Sequence, residues 1–216
     1  MNMKTRGLGA LLLVVVLVSP SATRAGGWGV TTIENWPQNV VAGKPVTVTF
    51  VVRQHGVHPI TDIGPVFEFR NLKTSEVFQA KAKVQPRLAR FITTFTFPSA
   101  GEWRWEVTSW PQQQMPNVTV HAAAPTTRAS ADGKTLFVAK GCQMCHAHTT
   151  VTRSGEFRDA FGVEGAPSLS PNKWEADYLR VWLKDPKAVK PLANMPNLGL
   201  RDKEIDALVT FLTAKP

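Results

Sequence analysis

The sequence predicts two domains, an all-β one followed by an all-α one, and three observations carry the prediction. Between residues 26 and 122 apolar side chains recur at every second position, the period of strands half-buried against a core. From Ala131 onward they recur at three- and four-residue intervals, the period of helices with one buried face. Between the two regions, His121-Ala-Ala-Ala-Pro-Thr-Thr-Arg-Ala-Ser130 shows neither period and is small, polar and proline-bearing, so residues 123–130 read as a linker.

The chain begins with Lys4 and Arg6, an apolar run from Leu8 to Val18, and a Thr23-Arg24-Ala25 step. That is the layout of a secretory signal peptide over residues 1–25, cleaved after Ala25. The run falls well short of the roughly 20 apolar residues that span a bilayer, so an uncleaved anchor is the weaker alternative. Export to a periplasm is the expected localisation.

In residues 26–122, Val46, Val48, Phe50 and Val52 alternate with Thr47, Thr49 and Val51. Phe91, Thr93, Phe95 and Phe97 share one parity, and Trp103, Trp105 and Val107 alternate with Arg104 and Glu106. Turn signals separate the runs at Ala42-Gly43-Lys44-Pro45, His55-Gly56, Ile63-Gly64-Pro65 and Pro98-Ser99-Ala100-Gly101. With Val30 to Ile33, Val66 to Phe69, Glu76 to Ala80 and Val118 to Val120 these make about seven strands, the number of an immunoglobulin-like β-sandwich. The early Gly-Lys-Pro-Val-Thr-Val entry and the late Phe-Pro-x-Ala-Gly-x-Trp hairpin resemble the YtkA-like and FixH-like periplasmic sandwiches, a resemblance that implies a fold and no chemistry.

In the C-terminal region, Ser130 or Asp132 can cap a first helix running through Lys140. A second is expected from Lys173 to Lys184, ended by Asp185-Pro186, and a third from Asp202 to Ala214 with the stripe Ile205, Leu208, Val209, Leu212.

The chemistry is concentrated in Cys142-Gln143-Met144-Cys145-His146. Two thiols separated by two residues and followed at once by an imidazole are the attachment pattern of a c-type haem. The sulfurs can form thioethers to two vinyl groups, and His146 can ligate the iron. A zinc site using His148 and a thioredoxin-like redox pair are the competing readings. With only two cysteines a four-sulfur zinc site is excluded.

Residues 131–216 also resemble a class I cytochrome c along their whole length: Gly133-Lys134-x-Leu136-Phe137, the haem motif, Pro167-Ser168-Leu169, Trp174 ahead of Tyr178-Leu179, Asp185-Pro186, Met195-Pro196 and Leu208-Val209-x-Phe211-Leu212 follow in family order. The resemblance implies an all-α cytochrome c fold and one covalently attached haem c with His146 and Met195 as its iron ligands. It further implies that the Pro167 carbonyl orients His146, that Trp174 donates to a haem propionate, and that Trp182 packs near the methionine. It places Gly133 and Phe211 at a tight crossing of first and last helices. Ala166 and Arg201 depart from the family, which more often has glycine before the proline and Ser or Thr capping the last helix.

The formal charge is +9, or +6 without Lys4, Arg6 and Arg24. Neither half is basic enough to read as a nucleic-acid binder. The expectation is an electron carrier rather than an enzyme, exchanging single electrons with protein partners that present an acidic docking face, or with a membrane-bound oxidase or dehydrogenase. Lys140, Lys184, Lys187 and Lys190 are the lysines expected to ring the haem edge, with Lys81, Lys83, Arg87 and Arg90 as the alternative docking face. A second reading makes the chain an interaction or assembly protein whose sandwich binds copper through His55 and His58, with Met115 and His121 as further candidate ligands. A third makes it the cytochrome subunit of a larger oxidoreductase.

Overall fold

The computed structural model describes residues 28–108, 112–126, 130–152, 154–155, 166–170 and 174–214. The expected signal peptide, part of the linker and the expected start of the second helix at Lys173 lie outside them.

The N-terminal domain is a sandwich of two antiparallel sheets. One runs in the order β1 (Gly29–Ile33), β2 (Pro45–Gln54), β7 (Arg90–Thr96), β6 (Lys83–Gln85), with β3 (His58–Pro59) added to β2. The other runs β10 (Val118–Val120), β8 (Gly101–Val107), β4 (Val66–Asn71), β5 (Val77–Lys81), with β9 (Gln113–Gln114) added to β8. The seven expected strands are all present. The three additions, β3, β6 and β9, are two or three residues long, too short to show a period of two.

Phenylalanine and tryptophan fill the space between the sheets. Phe69 stacks on Trp105 at 5.5 Å between ring centroids and on Phe78 at 4.5 Å, and Phe50 stacks on Phe91, its partner across β2 and β7. Trp103 and Trp105 are fully buried, yet each indole N–H is satisfied, by the Ser99 and Pro116 carbonyls respectively. Each aromatic buried in this way stabilises the sandwich by about 2–3 kcal/mol.

The C-terminal domain is helical: α1 (Gly133–Ala139), α2 (Cys142–Cys145), α3 (Ala176–Lys184), α4 (Pro186–Val189) and α5 (Asp202–Thr213) among the described residues. The Asp132 carboxylate caps α1 by accepting from the Thr135 N–H. Asp185-Pro186 ends α3 as expected and at once starts α4, because proline suits a first helical position and the Asp185 side chain accepts from the Lys187 N–H. Arg201 offers no acceptor to α5, and Glu204 compensates by accepting from the Arg201 backbone N–H and guanidinium. Helices α1 and α5 cross at Gly133, where a Cβ would overlap the Ala207 carbonyl oxygen and the Phe211 Cβ.

The domains share a buried contact. Strand β1 is covered on both faces, including Thr31 and Thr32, and Val51 is buried on what the alternation marks as the wetter side of β2. The covering material is the end of α1 and the segment after it. Ala139 packs with the sandwich core, the Thr32 hydroxyl donates to the Lys140 carbonyl, and the Lys140 ammonium donates to the Glu34 carbonyl at 3.0 Å. That ammonium also pairs with Glu204 at 2.9 Å, the two side chains being only 1% and 7% exposed. Lys140 is therefore not among the lysines at the surface, contrary to the sequence expectation.

Burial works to raise the Glu204 carboxyl, but the hydrogen bonds from Arg201 and Lys140 outweigh it and hold the group below the ordinary carboxylate value. A carboxyl with a depressed folded value contributes stability that is fully present above its ordinary value of 4.5 and lost as pH falls through the lower folded one. Glu204→Gln is expected to lose roughly 3 kcal/mol at pH 7, since it leaves the Lys140 charge buried without its counter-ion. In urea unfolding the gap between wild type and variant should narrow as the pH is taken from 5 down to 2; a constant gap would mean that the ion pair contributes nothing.

Candidate functional site

The haem motif begins where α1 ends. Lys140 closes α1, and Gly141 turns the chain through a left-handed conformation (φ +79°) into the single turn of α2. That turn sends the two cysteines in different directions. Cys142 packs against the helical domain's own core, in the cluster that also includes Leu169 and Met195, whereas Cys145 packs against Trp28, Val30 and Met144.

His146 follows in an extended conformation, and its Nδ1 lies 2.8 Å from the Pro167 carbonyl oxygen. A carbonyl can only accept, so Nδ1 carries the proton and Nε2 carries the lone pair that a metal would use. The Leu169 N–H donates to the Ala147 carbonyl and pins the same loop to the motif.

Met195 sits in the turn between α4 and α5, where the Trp182 indole N–H lies 3.0 Å from its sulfur. A thioether has two lone pairs, so a sulfur engaged with an indole can still ligate a metal. Trp182 belongs to a run of rings one helical turn apart: Trp174 stacks on Tyr178 at 5.6 Å, and Tyr178 on Trp182 at 6.0 Å. Trp174 at one end of this run and Tyr178 in its middle are 36% and 41% exposed.

The competing readings of the motif lack support in this geometry. His148 is stacked on Phe211 at 4.4 Å, lies near Phe137, and engages the Thr150 hydroxyl through Nδ1. It is a packing residue of the helical core. Burial, with the neighbouring Cys145 adding to it, pushes the Cys142 thiol up to about 12, and burial pushes the Cys145 thiol up to about 11. A thioredoxin-like cysteine needs the opposite shift.

The four candidate copper ligands are not assembled. Met115 is buried in the sandwich core, and His121 bridges to Val41 near the start of β2. His55 and His58 lie beyond its other end, where the His55 ring faces Trp28 at 5.9 Å. Among the described residues no group of three or more His, Cys, Asp or Glu could hold a metal ion.

Sequence reasoning passed over Trp28, Gly56, Gln113 and Gln114, all of which meet the haem motif or its neighbours. Each comes from the sandwich and is brought to the motif only by tertiary folding, so no local pattern marked it.

The family model for cytochrome c matches residues 130–214. The C-terminal domain is thus a c-type cytochrome domain, which implies bound haem c. No curated protein matches the chain. Among solved structures, a Lin-41 filamin domain is similar over 43% of this chain and 93% of that one, at 5% identity and a TM-score of 0.34, too distant to inform the sandwich.

In protein produced without haem, both thiols should alkylate slowly at pH 8 and accelerate only as the pH approaches 11, because the thiolate is the reacting form. Iodoacetamide labelling followed by mass spectrometry measures this. A rate already maximal at pH 8 would contradict the upward shift of the two thiols.

Proposed function

We propose that the chain is an exported single-haem electron carrier, whose C-terminal domain holds the iron between His146 and Met195 and passes single electrons between protein partners. The observation that carries this reading is the pairing of two oriented donors in one domain: an imidazole with Nδ1 bonded to the Pro167 carbonyl, and a thioether steadied by the Trp182 indole.

The donor set suits a haem of the c type. Cys142 and Cys145 would supply the thioethers, His146 the proximal nitrogen and Met195 the distal sulfur. When bound, the group supplies a metal that cycles between the ferrous and ferric states. The chain does the rest. Pro167 sets the histidine tautomer and ring direction, as hydrogen-bonded partners of ligating histidines do. Trp182 holds the Met195 sulfur in place and draws electron density from it, which favours the reduced metal. Trp174, at the outer end of the aromatic run, is the proposed donor to a propionate.

With His146 and Met195 both engaged at the iron, no coordination site would be left for a substrate, so we read the chain as a carrier rather than an enzyme. The apolar run Leu8 to Val18 and the Ala25 step support export. No helix among the described residues is long and apolar enough to cross a membrane.

Met195→Ala in the haem-loaded protein should abolish the weak long-wavelength absorption of methionine-bound ferric haem and lower the reduction potential. Trp182→Phe should keep that absorption and lower the potential by less. A wild-type spectrum typical of two histidine ligands would overturn the assignment of Met195.

Among the expected docking lysines, Lys184 is paired with Asp202 at 2.6 Å, while Lys187 and Lys190 are exposed beside the Met195 turn. Complementary fields raise association rates by roughly ten- to a thousand-fold and fade with salt. Reduction by an acidic protein partner should therefore slow steeply with ionic strength, and Lys187→Glu with Lys190→Glu should slow it at least about tenfold at low salt. Stopped-flow rates that fall with salt but ignore the double substitution would move docking to the sandwich face with Lys81, Lys83, Arg87 and Arg90, and rates that ignore both would end the electrostatic reading.

A further inference from the structure

Strand β1 with its flanking residues, the turn between β2 and β3, and β9 lie against the haem motif along nearly every residue from 139 to 145. Ala139 enters the sandwich core, and the Lys140 backbone and side chain bond to Thr32 and Glu34. A Cβ on Gly141 would lie 2.5 Å from the Val30 Cγ1 and 2.9 Å from the Thr31 carbonyl oxygen, so the two backbones touch there. The Gln143 amide donates to the Gln114 carbonyl at 3.2 Å. Met144 is buried with Trp28 and Val30, and Cys145 borders the same cluster. A Cβ on Gly56 would sit 3.6 Å from the Cys145 sulfur, the Trp28 ring and a Val30 methyl.

The polar groups behind this surface are themselves fixed. The Gln113 side chain bonds both the N–H and the carbonyl of Thr31, at 2.8 and 3.0 Å. The Arg53 guanidinium donates to the Thr32 hydroxyl, which in turn donates to the Lys140 carbonyl. Apart from the half-buried Cys145, the elements of the contact are buried, hydrogen-bonded or both, which describes a permanent internal interface and not a docking site awaiting a second protein.

From this geometry we propose that the sandwich is a wall of the haem site: Trp28, Val30 and Gly56 seal the Cys145 side of the motif from water, and Gly56 and Lys140 are positioning residues for the segment that bears the thioethers. The inference rests on the reading of the C-terminal domain as an electron carrier. Removing water from one side of a redox group disfavours whichever of its forms carries the larger net charge, and burial is one of the means by which a protein sets a reduction potential. The iron–porphyrin core would be neutral when ferrous and singly positive when ferric, so a drier Cys145 side disfavours the ferric form and raises the potential, and it directs partners toward the face with the Met195 turn.

The test uses the full-length, haem-loaded protein and the substitution Gly56→Asn. Asparagine accepts the positive φ of +72° at this position better than other side chains, and it sets a polar amide among the Cys145 sulfur, Trp28 and Val30. Spectroelectrochemical titration should give a potential below that of wild type, with the methionine absorption retained. A folded variant whose potential is unchanged or higher would overturn the proposal. Hydrogen exchange on the wild-type protein provides a second readout that needs no variant. The amides of Lys140 to Met144 should be as protected as those in the centres of β2 and β7; exchange at loop-like rates would overturn the proposal independently. If the wild-type protein itself fails to titrate as a reversible one-electron centre, the electron-carrier reading falls instead, and the interface measured by exchange stands apart from it.

Discussion

The structure depends on one buried charge. Lys140 is the last residue before the turn into the haem motif, and its ammonium reaches Glu204 in the final helix and the Glu34 carbonyl in the sandwich at once. A lysine at this depth is tolerated only because both partners are in place, and each belongs to a different element. The α1–α5 crossing, the start of α2 and the end of β1 are thereby tied to one point. Close packing at Gly133 on one side and Gly141 on the other leaves little room for that point to shift.

How much of this was legible from sequence depends on the range of the interaction. The haem motif, the Pro167 loop and the Met195 turn are recognisable because each is a short run whose residue types and order carry the chemistry. The long strands and helices are recognisable because burial on one face leaves a period. Lys140 shows the limit of such reading. A lysine next to a cofactor motif looks like a docking residue, and only the three-dimensional partners Glu204 and Glu34 reveal it as a buried tie. Strand β1 misleads in the complementary way: Thr32 is polar, yet it is buried because a second domain covers its face of the strand, where its hydroxyl donates to the Lys140 carbonyl. The histidines of the sandwich follow the same logic, since nothing in their spacing says that β2 separates His55 and His58 from His121.

The two cysteines, identical in the motif, have different surroundings. Cys142 belongs to the helical domain's own core and Cys145 to the seam with the sandwich. One domain alone therefore supplies only part of the environment of the motif. The β-sandwich half meets Cys145 itself through three residues: the indole of Trp28, the side chain of Val30 and the backbone of Gly56.

Gly141 limits how this arrangement could be rebuilt. Its left-handed backbone and the lack of space beside Val30 and Thr31 mean that the residue before the first cysteine must have no side chain whenever a sandwich lies against it. A chimera joining this sandwich to another cytochrome domain would need glycine at that position, together with a long cation one residue earlier, before the linker length mattered at all. Compatibility between the two modules is thus written in a dipeptide, Lys140-Gly141, and not in the stretch of chain that connects them.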